Sequence, residues 1–238
     1  MFDARATATE FLDQPDCDPA LAAASYRFMR TVNSLWGGRR VVRRFLAAET
    51  AGRSAGAPLR ILDIGSGSCD IPLAMSRWAH ARGLPLHFTC LEMAGHAVAL
   101  ARVQLAGAAD PAVQLLQADI FTHQPAEPYD WAVASMCFHH FGDAQILALL
   151  QRLRGCVRGG VLINDLRRSR LAAVAAGLLL VGAPAGVRHD ALLSIRRGFT
   201  IGELRTLLRQ LDNVTVSVEP ARWFRIAAVV RFQPGAYA

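Results

Sequence analysis

The sequence predicts an α/β fold: a Rossmann-like, seven-stranded, mostly parallel sheet with helices on both faces. Three observations carry this expectation. From Leu59 onward, short apolar runs alternate with segments of helical period, the pattern of crossover units in a parallel sheet. The first run, Arg60-Ile61-Leu62-Asp63-Ile64, turns through Gly65-Ser66-Gly67 into a segment with Ile71, Leu73, Ala74 and Trp78 on one face. A strand that enters a helix through glycines is the pattern of a nucleotide-binding loop. With 238 residues, 53% of them hydrophobic, the chain is long enough for one domain with a full core.

Taken in order, Asp18-Pro19 supplies an N-cap followed by proline at the first helical position. The helix that follows carries Leu21, Phe28, Val32 and Leu35 and stops at Gly37-Gly38. A second helix over 40–48 buries Val41, Val42, Phe45 and Leu46, and the Ala/Gly/Ser stretch 51–58 reads as a linker. Residues 1–57 are therefore expected to form an N-terminal helical cap, and 58–238 the core. Within the core, strands are expected at 60–64, 87–91, 113–117, 130–135 and 161–164, with helices near 70–81, 97–105 and 143–153. An insertion at 166–212, read as a lid, precedes two closing strands, 214–218 and 224–232. It contains the uncharged run Leu171–Val187. That run is shorter than the ~20 residues of a membrane span and is interrupted by Pro184 and three glycines, so a buried or pocket-lining helix is expected.

Composition narrows the function classes. All 26 basic residues are arginine, and the net charge is +7. The arginines fall in short pairs (Arg39-Arg40, Arg43-Arg44, Arg167-Arg168, Arg196-Arg197) without the basic stripe and interleaved aromatics of a nucleic-acid surface. No nucleic-acid partner is expected. The charge leaves room for peripheral contact with an anionic membrane. Five widely spaced cysteines with no Cys-x-x-Cys pair argue against a disulfide framework or a structural metal. With an N-terminus lacking signal-peptide character, this gives a cytoplasmic expectation, as monomer or homodimer.

Two acids accompany the glycine loop. Asp63 lies within the first strand, and Glu92 closes the second, about 20 residues further on, where such folds place a carboxylate on ribose hydroxyls. Asp119 follows the third strand. Each has a plain structural alternative: Asp63 and Asp119 as turn residues accepting backbone hydrogen bonds, Glu92 less readily, since an acid between Leu91 and Met93 needs a partner. The set, with the Leu153…Gly159-Gly160 turn before the fifth strand, resembles the class I S-adenosylmethionine-dependent methyltransferases. The segment Tyr26…Asn33-Ser34…Gly37…Arg40 resembles more loosely the ubiquinone/menaquinone C-methyltransferase group and its polyketide-associated relatives. The resemblance implies S-adenosylmethionine as cofactor, held by Asp63, Gly65, Ser66, Gly67, Glu92, Met93, Asp119 and Ile120. Cys69 stands where that family commonly has a third glycine.

Methyl transfer mainly requires positioning and exclusion of water, and a hydroxyl acceptor can also need a base. Ser135-Met-Cys-Phe-His139-His140-Phe141 follows the fourth strand, a position that faces the cofactor in this fold. His139 and His140 are candidate bases, with pocket lining as the alternative. His189, beside Asp190 in the insertion, is a third candidate, or an exposed loop histidine; Asp165 and Arg168 are placed to touch the acceptor. The chain lacks the Asn/Asp-Pro-Pro-aromatic tetrapeptide used on base amino groups and a Pro-Cys nucleophile. The reading is O- or C-methylation of a small, largely apolar acceptor: phenolic, quinone-precursor or polyketide-like. RNA or DNA methylation and a non-catalytic S-adenosylmethionine-binding protein are the alternatives.

Overall fold

The computed structural model describes residues 2–14, 16–52 and 56–233. Seven strands, β1 (Leu59–Ile64), β2 (Leu86–Glu92), β3 (Val113–Gln117), β4 (Trp131–Ser135), β5 (Gly160–Leu166), β6 (Val214–Ala221) and β7 (Arg225–Phe232), form one sheet in the order β3-β2-β1-β4-β5-β7-β6. All pairings are parallel except those of β7, which runs antiparallel between β5 and β6. The expected architecture holds. Strand order reverses between β1 and β4, and such a switch point opens a crevice at the carboxyl ends of the strands.

Among the described residues eight α-helices form: α1 (Pro19–Leu35), α2 (Gly38–Glu49), α3 (Asp70–His80), α4 (Gly95–Ala108), α5 (Asp143–Leu153), α6 (Arg170–Leu179), α7 (Ala185–Arg197) and α8 (Ile201–Leu208). Alternation along β1 divides the core in two. Leu62 and Ile64 pack with Ile146, Leu149 and Leu150 of α5 and Leu204 and Leu208 of α8. Ile61 faces Val42, Phe45 and Leu46 of α2 and Ile71, Leu73 and Met75 of α3. Thus α2 is itself a sheet-covering helix, and α1 lies outside it. The Gly159-Gly160 turn is explained at the β5–β7 pairing: at Gly160, with φ +137°, a Cβ would stand 2.0 Å from the Val230 carbonyl oxygen.

The insertion differs from expectation. The apolar run 171–187 is not one helix: α6 ends before Gly182 (φ +83°), and Pro184 caps α7. The two helices form a hairpin that packs Ala172, Ala176, Leu180, Val187 and Ile195 against Leu21 and Phe28 of α1. Its inner side is buried as expected, but Leu171, Val174, Leu178 and Val181 stay exposed, because only one face of α6 meets the domain. Among the described residues, no helix is long and apolar enough to cross a membrane.

The N-terminal segment lies over the carboxyl side of the sheet. Arg5 donates from Nε to the Arg197 carbonyl at 2.9 Å and from Nη2 to the Phe141 carbonyl at 2.7 Å, and its guanidinium sits 4.2 Å above the Phe199 ring. The Ala6 amide donates to the Arg196 carbonyl at 3.0 Å. These contacts deliver Glu10 and Asp13 to the region beyond β4.

Candidate functional site

The loop after β1 is shaped by three left-handed residues, Gly65 (φ +63°), Gly67 (φ +53°) and Cys69 (φ +59°). A Cβ at Gly65 would meet Cys137 Sγ at 2.8 Å, so the loop and the segment after β4 approach closely only because glycine stands there. Cys69 adopts the conformation expected of the missing third glycine, at a cost of about 1–2 kcal/mol for an L-residue. Its thiol is fully buried and held below its ordinary range by a hydrogen bond with the Cys90 thiol.

Glu92 is brought directly to this loop. Its Oε2 accepts the Gly67 amide at 2.8 Å, and Oε1 accepts the Met93 and Ala94 amides at 2.9 Å each. The carboxylate is thereby fixed at the end of β2 with acceptor capacity to spare. Met93 is 66% exposed beside it. Ser66 is buried, and its amide donates to the Leu91 carbonyl at 3.2 Å. Asp119 Oδ1 accepts the Phe121 amide at 2.9 Å, and the side chain of Ile120 belongs to the core. Tyr26 of α1 lies over Gly67, 3.0 Å from where a Cβ would stand. Burial and the Glu92 charge push its phenol far above the ordinary range.

Asp63 is the informative member of this group. It is 4% exposed, burial pushes its carboxyl well above the usual range, and no hydrogen bond offsets that burial among the described residues. A buried carboxyl without a donor is costly. It suits a ligand carrying an ammonium or other donor group. The donor set of the loop thus fits an amino-acid-bearing nucleoside: a donor-seeking acid at Asp63, a ribose-type carboxylate at Glu92 and a cradle that a Cβ would fill.

Beyond β4 a second cluster forms. Asp165 of β5 is fully buried. Burial alone would raise its carboxyl, but the charge and hydrogen bond of His139 and the Leu166 amide hold it below the ordinary range. His139 Nδ1 lies 2.6 Å from Asp165 Oδ1, and the His139 amide donates to Oδ2 at 3.1 Å. With Nδ1 engaged by the carboxylate, Nε2 is the ring nitrogen left to face Glu10. That atom has no hydrogen-bond partner among the described residues and stands 3.8 Å from Glu10 Oε1. Glu10 is 3% exposed and accepts from Ser194 Oγ at 2.8 Å; burial is the main reason its carboxyl lies above the ordinary range.

His140 is adjacent, its ring centroid 4.2 Å from that of His139. Its Nδ1 is occupied by Asp13 Oδ2 at 2.9 Å, which Arg197 Nη1 also reaches at 3.0 Å. His189 stands apart on α7: half exposed, hydrogen-bonded to its neighbour Asp190 at 3.0 Å, its ring centroid 4.6 Å from that of Phe11 at a 40° tilt. Arg168 does not reach an open site. Its nitrogens bind the Phe2 and Gly198 carbonyls, both at 2.9 Å, and the Glu203 carboxylate, tying the start of the insertion to the N-terminal segment and to α8.

Between α1, α6, α7 and the β6–β7 turn lies a cavity of about 380 Å³. Its wall is formed largely by apolar groups such as Phe28, Val32, Ala176, Val187 and Ile195, with Glu10 on one side and Met136 and Arg225 on another. Sequence reasoning did not single out Glu10 or Arg225. The one signal for either was an acid within Ala8-Thr9-Glu10-Phe11-Leu12 and an arginine opening an apolar strand; both need tertiary contacts to acquire meaning.

A family model described as a methyltransferase domain matches residues 61–160, from β1 to the start of β5. No curated protein sequence matches the chain significantly. Among solved structures, the chain is similar to the plantazolicin methyltransferase BpumL in complex with S-adenosylhomocysteine. Identity is 15%, coverage 90% of this chain and 95% of that one, and the TM-score 0.63. Magnesium protoporphyrin IX methyltransferase ChlM from Synechocystis PCC 6803 matches at 10% identity over 82% of both chains, with a TM-score of 0.55. The citrinin polyketide synthase CMeT domain matches at 16% identity over 81% of this chain and 52% of that one, with a TM-score of 0.59. These likenesses show the fold. The sheet order and the glycine loop are those of the class I methyltransferase fold, solved in BpumL and ChlM with S-adenosylhomocysteine bound. The match to the methyltransferase-domain model spans residues 61–160, under half of the chain.

Proposed function

We propose that the chain methylates a small, largely apolar acceptor bound in the cavity between α1 and the α6–α7 hairpin. When bound, S-adenosylmethionine supplies a methyl group activated on a cationic sulfur. Gly65, Ser66 and Gly67 shape its cradle, Glu92 and Asp119 offer carboxylates to the ribose and adenine, Met93 and the Ile120 backbone flank the base, and Asp63 meets the amino group. The observation that carries the acceptor assignment is the meeting of an apolar cavity with a buried acid–imidazole–acid chain. Glu10 belongs to the cavity wall, His139 stands behind it and Asp165 behind that.

Glu10 takes the proton that the acceptor oxygen or carbon releases as it gains the methyl group. His139 Nε2 shares that proton across the buried gap, and Asp165 stabilises the imidazolium. Because the Glu10 carboxyl is raised above the ordinary range, the base becomes available only as pH rises through that raised value.

The test follows transfer of a labelled methyl group from S-adenosylmethionine to a panel of phenolic and enolic acceptors. Glu10→Gln is expected to lower kcat about 100-fold or more, the usual contribution of a positioned base. It should also remove the rising limb of the pH profile and leave S-adenosylhomocysteine affinity intact. An unchanged kcat in Glu10→Gln would assign the base elsewhere; absence of transfer to any acceptor, with the donor bound, would favour the non-catalytic alternative.

A further inference from the structure

Arg225, the first residue of β7, is 1% exposed and belongs to the cavity wall. Its Nη2 donates to Asn33 Oδ1 at 2.9 Å and lies 3.2 Å from Met136 Sδ. Nη1 has no hydrogen-bond partner among the described residues. Burial pushes the guanidinium down to about 10, with Asp165 and Asp70 acting against that through space, so it carries its charge at neutral pH. Of these two carboxylates, Asp165 is committed to His139, and Asp70 to Asn33 Nδ2 at 3.2 Å and Arg39 Nη2 at 3.3 Å. A tie between β7 and α1 uses only Nη2 and requires no charge. A buried cation with an idle donor on an apolar cavity calls for an anion from outside the chain.

We propose that the acceptor carries a carboxylate-type anionic group on a mainly apolar body, and that Arg225 binds that group. The inference rests on the reading of the cavity as the acceptor site. A second unsatisfied atom in the same wall, Ser25 Oγ, is also buried and without a partner among the described residues. Asn33, which holds Arg225, lies eight residues further along α1 than Ser25, about 12 Å at the helical rise. An acceptor with its anionic end at Arg225 and an oxygen further along the apolar trough satisfies both. Discrimination then comes from the guanidinium, because an uncharged analogue leaves it buried and unpaired.

The test uses two probes of matched size, 2-naphthoate and 2-naphthamide, titrated calorimetrically into the full chain with and without S-adenosylhomocysteine. The acid is expected to bind about tenfold tighter or more, the size of one charged hydrogen bond. Arg225→Met is expected to abolish that preference while S-adenosylhomocysteine affinity stays within about twofold. Ala176→Phe, which fills the cavity, is expected to block the acid. Equal binding of acid and amide by the unmodified chain overturns the proposal whether or not Arg225→Met folds, as does binding of neither probe. Loss of S-adenosylhomocysteine affinity in Arg225→Met with the acid preference intact also overturns it, because the guanidinium then holds the donor's own carboxylate. Acid binding that persists in Ala176→Phe does so too, by placing the probe outside this cavity. Failure of the unmodified chain to bind S-adenosylhomocysteine at all defeats the methyltransferase reading instead, while the acid–amide comparison still reports on Arg225.

Discussion

At the scale of single residues, the proposed donor site trades stability for ligand affinity. Asp63 is buried with its carboxyl raised, so the folded chain binds its proton more tightly than the unfolded chain does. That penalty grows as pH rises above the unfolded carboxylate range near ~4. Asp63→Asn is therefore expected to be more stable than the parent at pH 7, with the difference closing below about pH 4, where the parent carboxyl is protonated in both states. The same substitution is expected to weaken S-adenosylhomocysteine about tenfold or more, one charged contact being worth roughly 1.5–3 kcal/mol. Thermal unfolding across pH and calorimetry check the two halves separately. Gly65 works through geometry. Gly65→Ala faces a left-handed φ and a Cβ 2.8 Å from Cys137 Sγ, and should lose about 2 kcal/mol together with donor binding. Removing the opposing sulfur in Gly65→Ala/Cys137→Ala is expected to restore part of that loss, the strained φ accounting for the remainder. Denaturant melts of the single and double variants measure the coupling.

At the scale of elements, the N-terminal segment acts as a strap over the carboxyl side of the sheet. Asp13 anchors it. Burial opposes ionisation there, but His140 and Arg197 overcome it and bring the carboxyl down to about 2 from 3.8. An acid with a depressed folded value stabilises the fold above its unfolded value and ceases to do so as pH falls through the folded one. The Asp13 contribution is thus full above about pH 5 and fades toward pH 2. It is worth at most roughly 2 kcal/mol, less because the side chain is 30% exposed. The stability gap between the parent and Asp13→Asn, followed by denaturant melts, is expected to close over that window. The strap was not legible in the sequence, since residues 2–14 carry no periodicity and acquire structure only from Arg5, Glu10 and Asp13 reaching partners far along the chain. The strands, by contrast, were legible because apolar alternation and the Gly65-Ser66-Gly67 turn are local signals. The apolar run 171–187 stood between these cases: its burial on one side was readable, whereas its division into α6 and α7 depends on the Gly182–Pro184 break competing with helix-favouring neighbours.

At the scale of the whole molecule, the sheet brings the candidate donor loop and one wall of the apolar cavity to the same edge. β1 and β2 deliver the glycine loop and Glu92; β4, β5 and β7 deliver Met136, Asp165 and Arg225; α1 spans both, covering Gly67 with Tyr26 and holding Arg225 with Asn33. The candidate donor residues could be picked from the sequence because each lies at or beside a strand end within the first 120 residues. The candidate acceptor cavity could not, because its walls come from the strap, α1, the insertion and β7, which meet only in three dimensions. The arginine excess likewise changes meaning: Arg5, Arg168, Arg197 and Arg225 are spent largely on interior hydrogen bonds. The central claim, a methyl-donor site built on the β1 loop, is tested most directly by calorimetric titration of S-adenosylhomocysteine into the full chain. The account predicts one molecule bound per chain, in a reaction that Gly65→Ala abolishes. Absence of binding by the unmodified chain, or binding indifferent to Gly65→Ala, would contradict it.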